Sequence, residues 1–209
     1  MMDVIIICDG IAPSKSQILK LLNKNTTLIA TDGGANTAYQ LGFEPEYIIG
    51  DMDSYSPTGN EKAEVLRIDD QETNDLEKAL NLALKKGFKN VIVLGATGKR
   101  LDHTLKNLSV LLQFNPEFDS IIFKDHHSDI FLIDSPFRQQ YPVGTTISLY
   151  PLSGRVDGII TKGLQYPLNN ESLINGIRDG SSNKTIKKEI EITYKRGDLL
   201  LFVISDTQI

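Results

Sequence analysis

The stretch NDLEKALNLALKKGFKNVIVLGATGKRLDH, residues 74–103, decides the fold. Its first part is apolar at helical spacing. Leu76, Ala79, Leu80, Ala83 and Leu84 fall on one face, which predicts a helix over 74–86. Thr73 or Asn74 can cap its start, and Gly87 stops it. Residues 91–94 are a short, continuously apolar, β-branched run of the kind buried on both faces of a parallel sheet. A glycine-bearing loop follows. A second helix is then expected over 102–113, with Leu105, Leu108, Val110, Leu111 and Leu112 as its apolar residues. Helix, buried strand, loop and helix together are a piece of an α/β sheet.

The same alternation runs through the chain before this stretch. Residues 4–8 read as a buried strand ending at Asp9-Gly10. Ser14 offers an N-cap with Gln17 as its capping-box partner. Residues 27–31 are a second strand, 35–41 a short helix stopped by Gly42, and 47–49 a third strand. After about Pro136 the helical period fades. Turn formers such as Ser153-Gly154, Asp157-Gly158 and Asn169-Asn170 separate short alternating runs at 146–150, 189–194 and 199–204. The expected fold is therefore α/β: an N-terminal, mainly parallel sheet with helices on both faces over 1–137, and a C-terminal all-β sandwich over 138–209.

Composition narrows the function classes. The chain has 209 residues, 40% hydrophobic and 23% charged, with a net charge of −5. An acidic protein of this kind is not built to bind nucleic acid through its backbone or to hold a membrane by a polybasic patch. One cysteine, Cys8, rules out a disulfide within one chain and a cysteine zinc site. Cys8 reads as a small buried hydrophobe. The apolar start is too short for a signal peptide, and no run reaches membrane-spanning length. A cytoplasmic location is expected.

The chemistry sits where strands end. In open α/β sheets, ligands bind beyond the carboxyl ends of the strands. D-G-G-A-N (32–36), G-D-M-D-S (50–54) and G-A-T-G-K-R-L-D-H (95–103) each follow an apolar run. D-Q-E-T-N-D (70–75) opens the long helix. Asp51 and Asp53, one residue apart in a turn, can reach one hard cation, and Mg²⁺ favours a few carboxylates with substrate phosphates. Gly33 and Gly34 suit close backbone approach, and a helix start can hold an anion. Gly95, Thr97 and Gly98 form a second phosphate cradle. Arg100 brings a bidentate fork, and Lys99, Asp102 and His103 lie beside it. Asp102 reads equally as a helix cap, His103 as a structural hydrogen-bonding group, and Asp75 as an acid favoured by the helix dipole. His126-His127 reads as an exposed turn without a ligand role. The residues imply Mg²⁺-dependent chemistry on a nucleoside triphosphate. A sugar-nucleotide glycosyltransferase with a D-x-D metal site and a non-enzymatic nucleotide-binding regulator stand beside that reading.

These signatures, in this order, resemble the thiamine pyrophosphokinase family. That family's pattern is D-G-G-A-N, G-D-x-D-S, an acidic segment ending in T-D, and G-x-x-G-G-R-x-D-H. Gly163-Leu164-Gln165-Tyr166-Pro167-Leu168 and Ser182-Asn183 resemble its later motifs. The resemblance implies transfer of the diphosphoryl group of ATP to the hydroxyl of thiamine, with AMP leaving. It implies Asp51, Asp53 and Asp75 around Mg²⁺, with Arg100 and Asp102 completing the catalytic group. It places Asp32, Asn36 and Asn74 around ATP and its phosphates. Ser182 and Asn183 are implied near the thiamine pyrimidine, contributed across a homodimer interface. Asn74 stands where the family has Thr, and Lys99 where it has Gly. The family's aromatic against the thiamine ring has no Trp counterpart here.

Overall fold

The computed structural model describes residues 4–57, 59 and 62–205. The chain divides between Asp125 and His126 into two compact units. The first carries β1 (Val4–Ile7), α1 (Lys15–Leu21), β2 (Thr27–Thr31), α2 (Asp32–Gln40), β3 (Tyr47–Gly50), β4 (Glu64–Arg67), α3 (Asp75–Lys85), β5 (Asn90–Leu94), α4 (Leu101–Phe114) and β6 (Ser120–Lys124). Its strands lie in the order β6-β5-β1-β2-β3-β4, and neighbours are parallel.

β1 is central because every residue in it is apolar. Ile5 and Ile7 pack with Ile18 of α1 and Ala38 of α2. Val4 and Ile6 point to the other face by strand alternation and are equally buried, so both faces are covered. α3 packs on β2 and β3 and against α4. Ser14 and Gln17 form the expected capping box on α1. Asn74 caps α3 in the same way with Glu77.

Two helices differ from their sequence reading. α2 begins at Asp32, capped by Thr31, so Gly33 and Gly34 lie in its first turn instead of in a loop before it. On α4 the buried residues are Asn107, Val110, Leu111 and Phe114, a helical stripe that leaves Leu105 57% exposed. Asn107, on that stripe, donates a buried hydrogen bond to Ala96 O. β4 had no apolar signature, as expected of an edge strand with mostly exposed residues.

The second unit carries β7 (Ser128–Ile133), β8 (Phe137–Gln140), β9 (Thr146–Pro151), β10 (Arg155–Lys162), β11 (Asn169–Ile174), β12 (Gly180–Lys184), β13 (Glu189–Thr193) and β14 (Leu199–Ile204). One layer runs β12-β9-β14-β7 and the other β11-β10-β13-β8, with antiparallel neighbours. Ile133, Ile147, Leu149, Leu199 and Leu201 of the first layer meet Val156, Ile159, Leu173, Ile190 and Ile192 of the second in one core. This is the sandwich anticipated from the turn spacing. The expected boundary at residue 137 falls at the start of β8. The compact unit begins earlier because β7 pairs with β14 along its whole length. Among the described residues, no helix is long and apolar enough to cross a membrane.

An ionic pin holds the irregular part of β10. Asp157 accepts from Arg155 Nε at 2.6 Å, Ser172 Oγ at 2.7 Å and Arg196 Nη2 at 2.7 Å. These donors hold its carboxyl down at about 2, with the Ser172 hydroxyl foremost. A carboxyl depressed on folding stabilises the native state above its unfolded pKa and loses that contribution as pH falls towards its folded one. Asp157→Asn is therefore expected to lower the melting temperature at neutral pH and to close the gap to wild type between about pH 4 and 2. Parallel melting curves across that range check this, and a gap that is constant with pH would refute it.

Candidate functional site

The strand order places a switch point between β1 and β5. From β1 the chain winds outward through β2, β3 and β4, then returns to β5 on the other side. The carboxyl ends of these strands bound a cleft of about 420 Å³ in the first unit. Of the expected residues, Asp32, Asp51, Asp53, Asn74, Asp75, Gly95, Gly98, Lys99, Arg100 and His103 line it.

Carboxylate oxygens of Asp32, Asp51 and Asp53 lie within 4.8 Å of one another. Local folding explains the aim of each. The D-M-D turn bends at Met52, which is left-handed (φ 69°), and Met52 packs beside Ala30, Ala35 and Ile48. Drawing Met52 inward sends its two acidic neighbours outward. Asp53 N donates to Asp51 Oδ1 at 3.2 Å, and Gln71 Nε2 to Asp51 Oδ2 at 3.2 Å. The Asp53 amide and then Gln71 hold the Asp51 carboxyl below its usual range.

Asp32 is the buried member, 4% exposed at the start of α2. It accepts from Gly33 N at 2.5 Å and Ser54 N at 3.3 Å. Burial, then the neighbouring charge of Asp75, pushes its carboxyl up to about 6. Gly50 makes room for this crowding, since a Cβ there would stand 2.9 Å from Asp32 Cβ and 3.2 Å from Asp75 Oδ1. The structure thus gathers Asp32 with Asp51 and Asp53. Asp75 stands behind them, against Asp32 on one side and 3.1 Å from the buried ammonium of Lys78 on the other.

Several expected residues brace the site. Asn36 Nδ2 donates to Ser54 O at 2.7 Å, and its Oδ1 accepts from Ser56 N at 3.0 Å, which pins the loop after β3 to α2. Gly33 and Gly34 let α2 sit down on the first strand loop. Asn74 donates to Asn107 Oδ1 at 2.9 Å, and Asn107 donates to Ala96 O at 2.7 Å. The Asn74 amide thus ties α3, α4 and the loop after β5. Thr97 Oγ1 reaches Asp125 Oδ2 at 3.5 Å.

The mouth of the cleft is ionic. Arg100 donates from both Nε and Nη2 to Asp102, with the Nε contact at 3.1 Å. Asp102 therefore holds the guanidinium fork; it neither caps α4 nor joins the acid group. Lys99, left-handed at φ 52°, places Nζ 2.8 Å from Asp9 Oδ1. Gly10 N and Ile11 N donate to the carbonyls of Gly95 and Thr97, so the loops after β1 and β5 are zipped together. Asp9, Gly10, Lys78 and Asn107 are cleft residues that sequence reasoning missed. Asp9-Gly10 carried a usable signal, since it follows the most apolar strand. Lys78 and Asn107 sit inside helices and carried none.

In the second unit, Asn183 is 7% exposed. Its Oδ1 accepts from Tyr166 N at 3.0 Å, and its Nδ2 donates to Tyr166 O at 2.7 Å. The two later motifs are thus bound to each other, and Tyr166 is left 64% exposed. Ser182, left-handed at φ 58°, donates its N–H to Ser148 Oγ at 2.9 Å.

Both units match known proteins of one family. Residues 18–123 match the family model for the thiamin pyrophosphokinase catalytic domain, and residues 133–199 that for its vitamin B1 binding domain. Thiamin pyrophosphokinase 1 of Caenorhabditis elegans is 28% identical over 198 residues, covering 88% of this chain and 81% of that protein. Thiamine pyrophosphokinase of Bacillus subtilis is 27% identical over 199 residues, covering 88% and 90%. The crystal structure of the Geobacillus thermodenitrificans thiamin pyrophosphokinase superposes with a TM-score of 0.84 at 23% identity, covering 100% of this chain and 99% of the other. That of the Bacillus subtilis enzyme gives 0.83 at 25% identity, covering 97% and 99%. With both of its units matched, the chain belongs to the thiamine pyrophosphokinase family.

Proposed function

We propose that this enzyme transfers the diphosphoryl group of ATP to the hydroxyl of thiamine, with Mg²⁺ held by Asp32, Asp51 and Asp53. The observation that carries the metal assignment is the convergence of those three carboxylates in the strand-end cleft. The donor set is oxygen only, and burial first and Asp75 second make the negative charge of its inner member unfavourable, a cost that a hard dication shared with phosphates would relieve. When bound, the ion supplies charge neutralisation on the transferred phosphates. Membership of the family does not favour the glycosyltransferase and regulator readings.

In this reading the thiamine hydroxyl oxygen attacks the β phosphorus and gives up its proton to water. The bond from that phosphorus to the bridging oxygen on the α phosphorus breaks, and AMP leaves with that oxygen. Arg100 and Lys99 exchange Asp102 and Asp9 for phosphate oxygens as the nucleotide enters, and His103 faces the same chain. Asp75 and the Asn74–Asn107 pair keep the walls in register. Mixing the protein with Mg-ATP and thiamine should give AMP and thiamine diphosphate in equal amounts by phosphorus NMR. ADP with thiamine monophosphate would mean attack at the γ phosphorus and would end this reading.

The second unit takes thiamine in this scheme. Tyr166 is the aromatic we assign to the thiamine ring, because Asn183 pins its backbone while its ring stays exposed. Ser182 lies in the motif tied to it. We further propose a homodimer, a closed assembly of the commonest symmetry, in which this motif serves the partner's cleft. Light scattering at assay concentration should give twice the chain mass, and a fully active monomer would rule the assembly out. The proposed location is the cytoplasm, where ATP is supplied and a lone buried thiol such as Cys8 stays reduced.

A further inference from the structure

Lys78, like Asn107, is a cleft residue that no sequence signature marked. It lies on the wall of the cleft, in the second turn of α3, and its side chain is 4% exposed. Burying an ammonium is unfavourable unless it is well partnered, and an apolar side chain of similar volume would fill the space without that cost. Its ammonium donates to Asp75 Oδ1 at 3.1 Å. An ammonium carries three donors, so one carboxylate oxygen does not exhaust it. Asp75 is also a divided partner, because it presses on Asp32.

The other cations of the cleft differ. The side chains of Lys99 and Arg100 are 54% and 69% exposed, and each faces an exposed carboxylate at the mouth. Charges in contact with water are screened, whereas a desolvated cation acts strongly on an anion brought beside it. A polyphosphate entering this cleft also passes Asp9, Asp51, Asp53 and Asp70. It needs fixed positive charge at the inner end, and Lys78 provides it. We propose that Lys78 binds a phosphoryl oxygen of the nucleotide beyond the α phosphorus, an inference that rests on reading the cleft as a nucleoside triphosphate site.

Calorimetric titration of the full chain with α,β-methylene-ATP plus Mg²⁺, and separately with AMP, tests this. Lys78→Met should weaken the analogue about tenfold or more, the scale of a lost hydrogen bond to a charged group, and leave AMP nearly unchanged. Lys78→Arg should recover part of the loss. Since Lys78→Met strands the Asp75 charge and can impair folding, the double variant Lys78→Met/Asp75→Asn removes both charges and is expected to show the same selective loss. Wild-type affinity for the analogue in the double variant would make Lys78 only a counter-ion of Asp75 and overturn the proposal. Equal losses for analogue and AMP would overturn it as well. A wild-type protein that binds neither nucleotide would instead overturn the triphosphate reading of the cleft on which it rests.

Discussion

Asp32→Asn is expected to cut turnover by at least about a hundredfold while leaving the metal-free protein as stable as wild type or more so. The two effects have one cause. Asp32 is buried beside Asp75, and its carboxyl is raised to about 6 by burial first and by Asp75 second. A carboxyl raised on folding opposes folding wherever it is ionised in the unfolded chain, so the cost grows as pH climbs from about 4 to 6 and then levels off. Asparagine keeps the volume, cannot ionise and can donate an N–H to Asp75, although it keeps only one of the two oxygens that accept from Gly33 N and Ser54 N. The gain in stability should be on the order of 1–2 kcal/mol at pH 7 and should vanish near pH 4. Melting curves in chelator, beside steady-state rates with Mg-ATP, measure both.

Asp51→Asn and Asp53→Asn should lose turnover on a similar scale, because each removes one oxygen ligand charge. Their stability should not rise as it does for Asp32. Asp51 is held below its usual range by the Asp53 amide and Gln71, so its charge is already well accommodated. Variants of all three that stay active but melt early would reduce these acids to a polar turn. That result would remove them from the site.

Gly34→Ala should destabilise the fold by about 3 kcal/mol or more and silence the enzyme. A Cβ on Gly34 would stand 2.0 Å from the carbonyl oxygen of Ile7, at the end of the central strand. Neither side can yield, because β1 is hydrogen-bonded on both sides and α2 is seated on it. The helix would have to lift, and Asp32 in its first turn would leave the other acids. Gly33→Ala is the contrast. Its Cβ would stand 2.7 Å from Asp9 Cγ and 2.8 Å from Asp9 Cβ, so rotation of Asp9 relieves part of the clash and a shift of the loop after β1 the rest, at a smaller cost than moving the Ile7 carbonyl of the central strand. Urea unfolding of the pair measures the difference, and equal midpoints would show that the close approach at Gly34 is not limiting.

These variants separate what was readable in the sequence from what was not. Apolar runs are legible because burial on both faces leaves no polar position, as in Val4–Ile7. The capping box at Ser14 is legible because its partner lies three residues on, while the start of α3 was narrowed only to Thr73 or Asn74. The sandwich was readable from its turns, and the glycine stops at Gly42 and Gly87 from their place after an apolar stripe. D-x-D after a strand marked Asp51 and Asp53, because adjacency in a turn is a local property.

Tertiary structure alone decided the rest. That Asp32 joins these acids while Asp75 stands behind them depends on how β2, β3 and α3 pack, across gaps in sequence that no local pattern spans. Gly33 and Gly34 looked like a loop, yet they are helical, and what demands Gly34 is the Ile7 carbonyl on another strand. Lys78 carried no mark at all, since a lysine within a helix looks the same in sequence whether it faces water or the inside of a cleft. Periodicity fixes which residues can share a face, while the identity of a residue's neighbours comes from the packing of distant segments, and in this protein the acid group, its braces and its buried cation all belong to the second kind.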